Sequence, residues 1–261
     1  VGQGTVAENM RRLIEGSEII EAYKKDRVQD AYSLRCLPQV NGACRDAINY
    51  VMDKVNIEIN SVTDNPIVFH KDGEAISGGN FHGEPMAMAM DFFGIAAAEF
   101  ASIAERRVAR MVDHKLSDLP PFLVSDSGVN SGFMIPQYTA AAIVSENKTL
   151  AHPSVVDSIP TSANQEDHVS MGGYSARKGR NILDNTNRVI AIEMLNAAQG
   201  MDFRAPLKPG KGSGAAYREF RKHVPFYEKD QFMQPLMLDS LKLVKDGTII
   251  DAVEQEIGAI K

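Results

Sequence analysis

Apolar residues recur at three- and four-residue spacing along most of the chain, whereas the alternation that marks half-buried strands is nearly absent. Met10, Leu13, Ile14, Ile19 and Ile20 define a first helix over residues 6–25. Ala47, Ile48, Val51, Met52, Val55 and Ile59 share one face of a second, over residues 43–62, with Thr63-Asp64-Asn65-Pro66 as the stop. Residues 67–70 form the one extended piece, and Lys71-Asp72-Gly73 turns the chain after it. The next helix follows Gly83, tolerates Pro85 in its first turn and runs to about Val112. Between Met86 and Ala98 its one charge is Asp91, so this half lacks a polar face and is expected to be surrounded by protein. It is too short and interrupted for a membrane span, because Glu99, Glu105, Arg106, Arg107 and Arg110 follow. Further helices are expected over residues 132–150, starting near Pro136, and over 176–199, ended by Gly200. Three shorter ones cover 215–223, 234–245 and 248–260, and the Pro- and Gly-rich stretch 206–214 reads as a loop. The pattern describes one all-α unit over residues 1–261, a bundle whose long central helix is shared between subunits.

Composition agrees and narrows the partners. The 261 residues are 44% hydrophobic and 24% charged, enough apolar material for a large core. With 28 basic against 34 acidic residues the formal charge is −6, so no general positive field is available for nucleic acid or an anionic membrane. Cys36 and Cys44 cannot build a disulfide framework, and no charged segment followed by an apolar one opens the chain. A cytoplasmic location is the expectation. Position 1 is Val rather than Met, which points to a portion of a longer chain.

Several motif chemistries fail on spacing. Gly210-Lys211-Gly212-Ser213-Gly214 matches neither the P-loop nor the dinucleotide fingerprint, and no Ser-Gly pair sits in a G-x-S-x-G elbow. There is no H-E-x-x-H, and the side chains of Glu166-Asp167-His168 point apart as sequence neighbours, so no metal is expected. Three segments remain. In QDAYSLRCLP, a local helix would put Tyr32 and Arg35 on one face with Gln29 a turn earlier. A guanidinium beside a phenol lowers the phenol's pKa and offers a fork for a carboxylate. A Tyr and an Arg capping a helix end fit the same spacing equally well. SGGNFHGEP joins the extended piece to the apolar helix and displays Phe81 and His82 at its mouth. SIPTSANQEDHVSMG gathers carboxylates, amides and an imidazole, a set suited either to a polar ligand or to a solvated capping loop.

Taken together, these segments, with AAIVSENKTLAHP between them, resemble the signature stretches of the histidine ammonia-lyases, MIO-dependent enzymes of the aromatic amino-acid lyase group. The resemblance covers nearly the whole chain and corresponds to about the C-terminal half of such an enzyme. It implies a helical fold shared with the fumarase and aspartase superfamily, a homotetramer with active sites shared between subunits, and conversion of L-histidine to trans-urocanate and ammonia. It implies the electrophile 4-methylideneimidazol-5-one (MIO), made from an Ala-Ser-Gly tripeptide that this sequence lacks; the chain alone is therefore expected to be inactive. By the same resemblance Tyr32, Phe81 and Glu166 are catalytic: an active-site tyrosine, an aromatic wall near the electrophile, and a glutamate near the substrate's imidazole or amine. Arg35 anchors the substrate carboxylate, Gln29 lies beside the MIO group, and His82 is a supporting residue. Two other readings stay open: a tyrosine or phenylalanine ammonia-lyase or aminomutase, and a non-catalytic helical oligomerisation module.

Overall fold

A computed structural model describes residues 1–26 and 28–261. Helices dominate it. In chain order they are α1 (Gly2–Ile14), α2 (Glu18–Tyr23), α3 (Tyr32–Arg35), α4 (Leu37–Glu58), α5 (Glu84–Val112), α6 (His114–Ser117), α7 (Met134–Leu150), α8 (Gly172–Asp202), α9 (Lys211–His223), α10 (Gln234–Asp246) and α11 (Thr248–Ile257). Between α4 and α5 a small antiparallel hairpin pairs β1 (Ile67–Phe69) with β2 (Glu74–Ile76), Val68 standing opposite Ala75, and Gly73 takes φ +70° in the turn.

The departures from the sequence pattern have local causes. The first expected helix is two, because Gly16 adopts φ +75° and the Ser17 hydroxyl caps α2 by accepting the Ile20 amide at 3.2 Å. α4 begins earlier than expected, with Pro38 in its first turn, and ends at Glu58, short of the Thr63–Pro66 signal. α7 starts at Met134, so Pro136 falls in its first turn, where a missing amide hydrogen costs little. The expected loop over 206–214 is partly helical: α9 starts at Lys211. Gly212 lies inside it because a β-carbon there would meet Leu13 Cδ2 at 2.9 Å and Ile257 Cδ1 at 3.0 Å. Packing against α1 and α11 overrides the glycine's poor helix propensity. α11 stops at Ile257 because Gly258 turns to φ +76°.

α5 and α8 form the axis of the bundle, flanked by α4 and α7. Small residues make the approach close: Ala101, Ala104 and Ala140 pack with Val108, Val144, Val189 and Ile192. A larger core under the C-terminal helices joins Leu123, Phe133, Leu195, Phe220, Val224, Tyr227 and Leu243. α5 is long and apolar enough to cross a membrane by length and composition, yet one side of it is packed on these helices. It is not surrounded within this chain, as the pattern had implied. Met88, Phe92 and Ile95 lie exposed along its other face.

α1 crosses α4 at a glycine pair. A β-carbon on Gly42 would stand 2.4 Å from the Gln3 amide nitrogen, and one on Gly2 would stand 2.2 Å from the Gly42 carbonyl oxygen. Backbone cannot yield as a side-chain tip does, so Gly42→Ala is expected to push the helices apart and cost about 1–3 kcal/mol. Urea denaturation checks this. An unchanged midpoint would mean that α1 docks loosely.

Candidate functional site

The site-bearing segments sit at the two ends of α5. At its C-terminal end, Tyr32 and Arg35 occupy α3, a single turn, and the Arg35 guanidinium carbon lies over the Tyr32 ring, 4.7 Å from its centroid. Arg35 Nε also donates to the Asp30 carbonyl at 3.2 Å. The turn is held from below by Arg107 of α5, which donates from Nη1 to the Ser33 carbonyl at 3.1 Å. Arg107 itself is fixed by a two-pronged pair with Glu193 of α8, Nη2 donating to Oε2 at 3.0 Å and Nε to Oε1. Gln29 does not continue the Tyr32–Arg35 face: the helix starts only at Tyr32, and Ala31 before it is extended at ψ 154°. Gln29 instead lines a cleft of about 580 Å³ with Leu34, Arg110 and Arg204. Tyr32 is 71% exposed, and Gln29 and Arg35 are exposed as well.

At the other end, the Phe81 and Glu166 segments meet. α5 and α8 begin side by side; a β-carbon on Gly172 would lie 3.4 Å from the Gly83 carbonyl oxygen. The loops leading into the two helices touch through their histidines. The His82 and His168 rings stack with centroids 5.4 Å apart, and His82 Nε2 lies 3.2 Å from the His168 carbonyl oxygen. Phe81 beside them is 56% exposed.

Glu166 sits at the base of a tight loop. Thr161 and Glu166 exchange backbone hydrogen bonds of 2.9 and 3.3 Å, while Ser162, Ala163 and Asn164 between them take φ of +49°, +53° and +69°. Three consecutive non-glycine residues in the left-handed region are costly, and strain of this kind concentrates where a loop must hold a set shape. The Thr161 hydroxyl donates to Glu166 Oε2 at 2.5 Å. That bond, with one from Ser162, holds the carboxyl below the usual glutamate range. A depressed folded value means that the bond's contribution is complete above the unfolded glutamate value and is lost as pH falls through the lower one. A side-chain NMR titration is therefore expected to give Glu166 a lower midpoint in the native chain than in Thr161→Val, and equal midpoints would remove the Thr161 bond from the account.

Sequence reasoning missed the anchor beneath this loop. Asp91, buried at 6% exposure on α5, pairs with Lys178 of α8, Oδ1 to Nζ at 3.1 Å. Its Oδ2 accepts the Ser154 and Val155 amides, both at 2.7 Å, and the Ser175 hydroxyl at 2.9 Å. The Lys178 ammonium also donates to the His152 carbonyl. The pair thus clamps residues 152–155, which lead into the Glu166 loop. The signal was present, since a lone charge in an otherwise apolar helix has to be paired.

From Glu84 to Arg107 the axis of α5 spans about 35 Å at about 1.5 Å per residue. Tyr32 and Arg35 are therefore far from Phe81 and Glu166, and one chain does not bring them into one pocket.

Residues 1–222 match the model of a protein family described as aromatic amino acid lyase. The chain belongs to that family. A histidine ammonia-lyase of Natranaerobius thermophilus is 52% identical over 261 residues, all of this chain and 52% of its own length. Among solved structures, histidine ammonia-lyase from Trypanosoma cruzi matches with a TM-score of 0.89 at 43% identity, over 98% of this chain and 48% of that one. A tyrosine aminomutase from Streptomyces globisporus matches with a TM-score of 0.91 at 36% identity, over 100% and 53%. This aromatic amino acid lyase chain spans about half the length of the curated relatives it matches.

Aromatic amino acid lyases in general depend on MIO. The residues present do not fit its formation: the four Ser-Gly pairs follow Ile76, Asp126, Asn130 and Gly212, and none follows Ala.

Proposed function

We propose that this chain is the C-terminal half of a histidine ammonia-lyase and supplies substrate-recognition and assembly surfaces to an enzyme that converts L-histidine to trans-urocanate and ammonia. The observation that carries this reading is the placement of exposed recognition residues at opposite ends of α5, so that a complete pocket requires other chains. Identity of 52% to a histidine ammonia-lyase over the entire chain favours histidine as the substrate. The exposed Met88, Phe92 and Ile95 face suits burial against further copies, as a homotetramer built on the long helices requires.

The reaction breaks the Cα–N bond of histidine and removes a β-proton, so one group must hold the substrate while others move the proton and accommodate the leaving amine. Arg35 is suited to the carboxylate, since a guanidinium grips it with two parallel bonds. Its stacking on Tyr32 brings a phenol beside that anchor for acid–base work. Glu166, held ionised by Thr161, is fitted to attract the imidazole or the ammonium. Phe81 provides an apolar wall beside it, and Gln29 donates or accepts from the cleft next to α3. MIO, formed from an Ala-Ser-Gly tripeptide in an N-terminal half that this chain does not include, would contribute the electrophile.

The 261-residue chain is expected to form no urocanate from L-histidine by ultraviolet absorbance. Mixed with a separately produced N-terminal half carrying Ala-Ser-Gly, it is expected to gain activity on L-histidine but not on L-tyrosine or L-phenylalanine. In the reconstituted enzyme Arg35→Ala is expected to raise KM at least about tenfold, and Glu166→Ala to lower kcat about 10²-fold or more. Activity from the chain alone would overturn the assignment of the electrophile to the missing half, and preference for tyrosine would move the chain to the aminomutase-like branch.

A further inference from the structure

We propose that His82, Glu84 and His168 form a binding site for a divalent transition-metal ion of the zinc type, tying the loop before α5 to the loop before α8. Neither the motif spacing nor the family reading assigns such a site, and the inference does not rest on the lyase function. One ligand atom from each of the three residues lies within 4.8 Å of the others. The two nitrogens are already at coordination spacing: His82 Nε2 and His168 Nδ1 are 3.4 Å apart. Two nitrogens bonded to one tetrahedral zinc at about 2.0–2.1 Å stand about 3.4 Å from each other. The carboxylate closes in from the first turn of α5, and Glu84 Oε2 is buried with no hydrogen-bond partner among the described residues. A buried, unpartnered carboxylate oxygen needs a cation or donor to offset its lost hydration.

Two imidazoles and a carboxylate are a donor set that suits zinc and its first-row neighbours and disfavours calcium and magnesium, which take oxygen ligands. Three protein ligands leave one position for water on the side where His168 is exposed. Binding requires His82 to release two hydrogen bonds, 3.2 Å to the His168 carbonyl and 3.3 Å from the Glu84 amide, both at the long end of the range. The ion would sit at the amino ends of α5 and α8, where the helix dipoles oppose a cation, so the Glu84 charge is required as well as its oxygen. Sequence spacing missed this group because His168 lies 86 residues from His82 and meets it only through the helix pairing.

The test is calorimetric titration of the intact 261-residue chain with Zn²⁺, paired with visible absorption on Co²⁺ addition. One equivalent of Zn²⁺ and the intense ligand-field bands of tetrahedral Co²⁺ are expected. His168→Ala lies on an exposed loop and should leave the helical circular dichroism intact while weakening Zn²⁺ binding by at least about tenfold, as should Glu84→Gln. His70→Ala, in the hairpin turn, is expected to change nothing. Absence of saturable uptake, or uptake equal in His168→Ala, Glu84→Gln and the native chain, would overturn the proposal and leave His82 and His168 as a hydrogen-bonded pair.

Discussion

Replacing Asp91 by alanine is expected to destabilise the chain by about 3–5 kcal/mol, because it leaves the Lys178 ammonium buried without its counter-ion. Both side chains are almost fully enclosed, at 5% and 6% exposure. The Ser154 and Val155 amides and the Ser175 hydroxyl lose their acceptor in the same step. Asp91→Ala combined with Lys178→Met removes both charges, so the double variant is expected to recover part of the loss, and urea unfolding of the three proteins measures it. A single-variant loss below about 1 kcal/mol would mean that water reaches the pair.

The pH dependence follows with a definite sign. Burial pushes the Asp91 carboxyl up, but the Val155 amide, Lys178, Ser175 and the Ser154 amide outweigh it and hold the group below the ordinary aspartate range. A depressed folded value gives stability that is complete above the unfolded aspartate value of about 3.9 and is lost as pH falls through the folded one. The native chain is therefore expected to lose stability in acid more steeply than Asp91→Asn. The Glu166 loop follows the clamp in sequence, so its NMR signals should shift in Asp91→Ala and in Asp91→Asn.

The second large effect concerns activity. On the proposed function, Arg107→Ala in the reconstituted enzyme is expected to lower kcat/KM for L-histidine by about 10²-fold, although Arg107 is not proposed to touch the substrate. It holds Ser33 by one hydrogen bond and Glu193 by two, and Tyr32 and Arg35 ride on that turn. Displacement of the turn by about 1 Å is enough to misplace both groups. Arg107→Lys keeps a charge for Glu193 but cannot reproduce the planar fork, so it should recover stability better than kcat/KM. A variant within twofold of native activity would show that α3 is held from the Asp30 side.

Helices were legible from the periodic apolar pattern, but α4 and α8 begin six and four residues before their expected starts, and α8 runs through the expected Gly200 stop to Asp202. α5 matched its expected span from the Gly83 boundary to Val112, and α10 lay within one residue of the expected 234–245. Failures came where a short-range signal competed with packing. Gly16 and Ser17 carry a stop and a cap that split the first helix, whereas Gly212 is helical because Leu13 and Ile257 need its missing side chain. The candidate site residues came from the sequence as residue types in three motif-bearing segments. Its geometry was not: Gln29 left the Tyr32 face, and the stacking of His82 on His168 depends on α5 and α8 starting together.

By itself, then, the sequence determined that this is a helical chain of the lyase type, which candidate residues it carries in its three motif-bearing segments, and that it contains no Ala-Ser-Gly. Those properties are local: periodicity, motif wording and the presence or absence of a tripeptide can each be read within a few turns of chain. Only the tertiary structure decided that Asp91 meets Lys178 and clamps the segment leading into the Glu166 loop, that Arg107 carries the Tyr32 turn, and that the candidate site residues lie toward opposite ends of α5, whose axis rises about 35 Å from Glu84 to Arg107. These depend on which helix faces which and at what height, and that is set by close packing of Ala101, Ala104, Gly94 and Gly179 along the α5–α8 seam rather than by any neighbour in sequence.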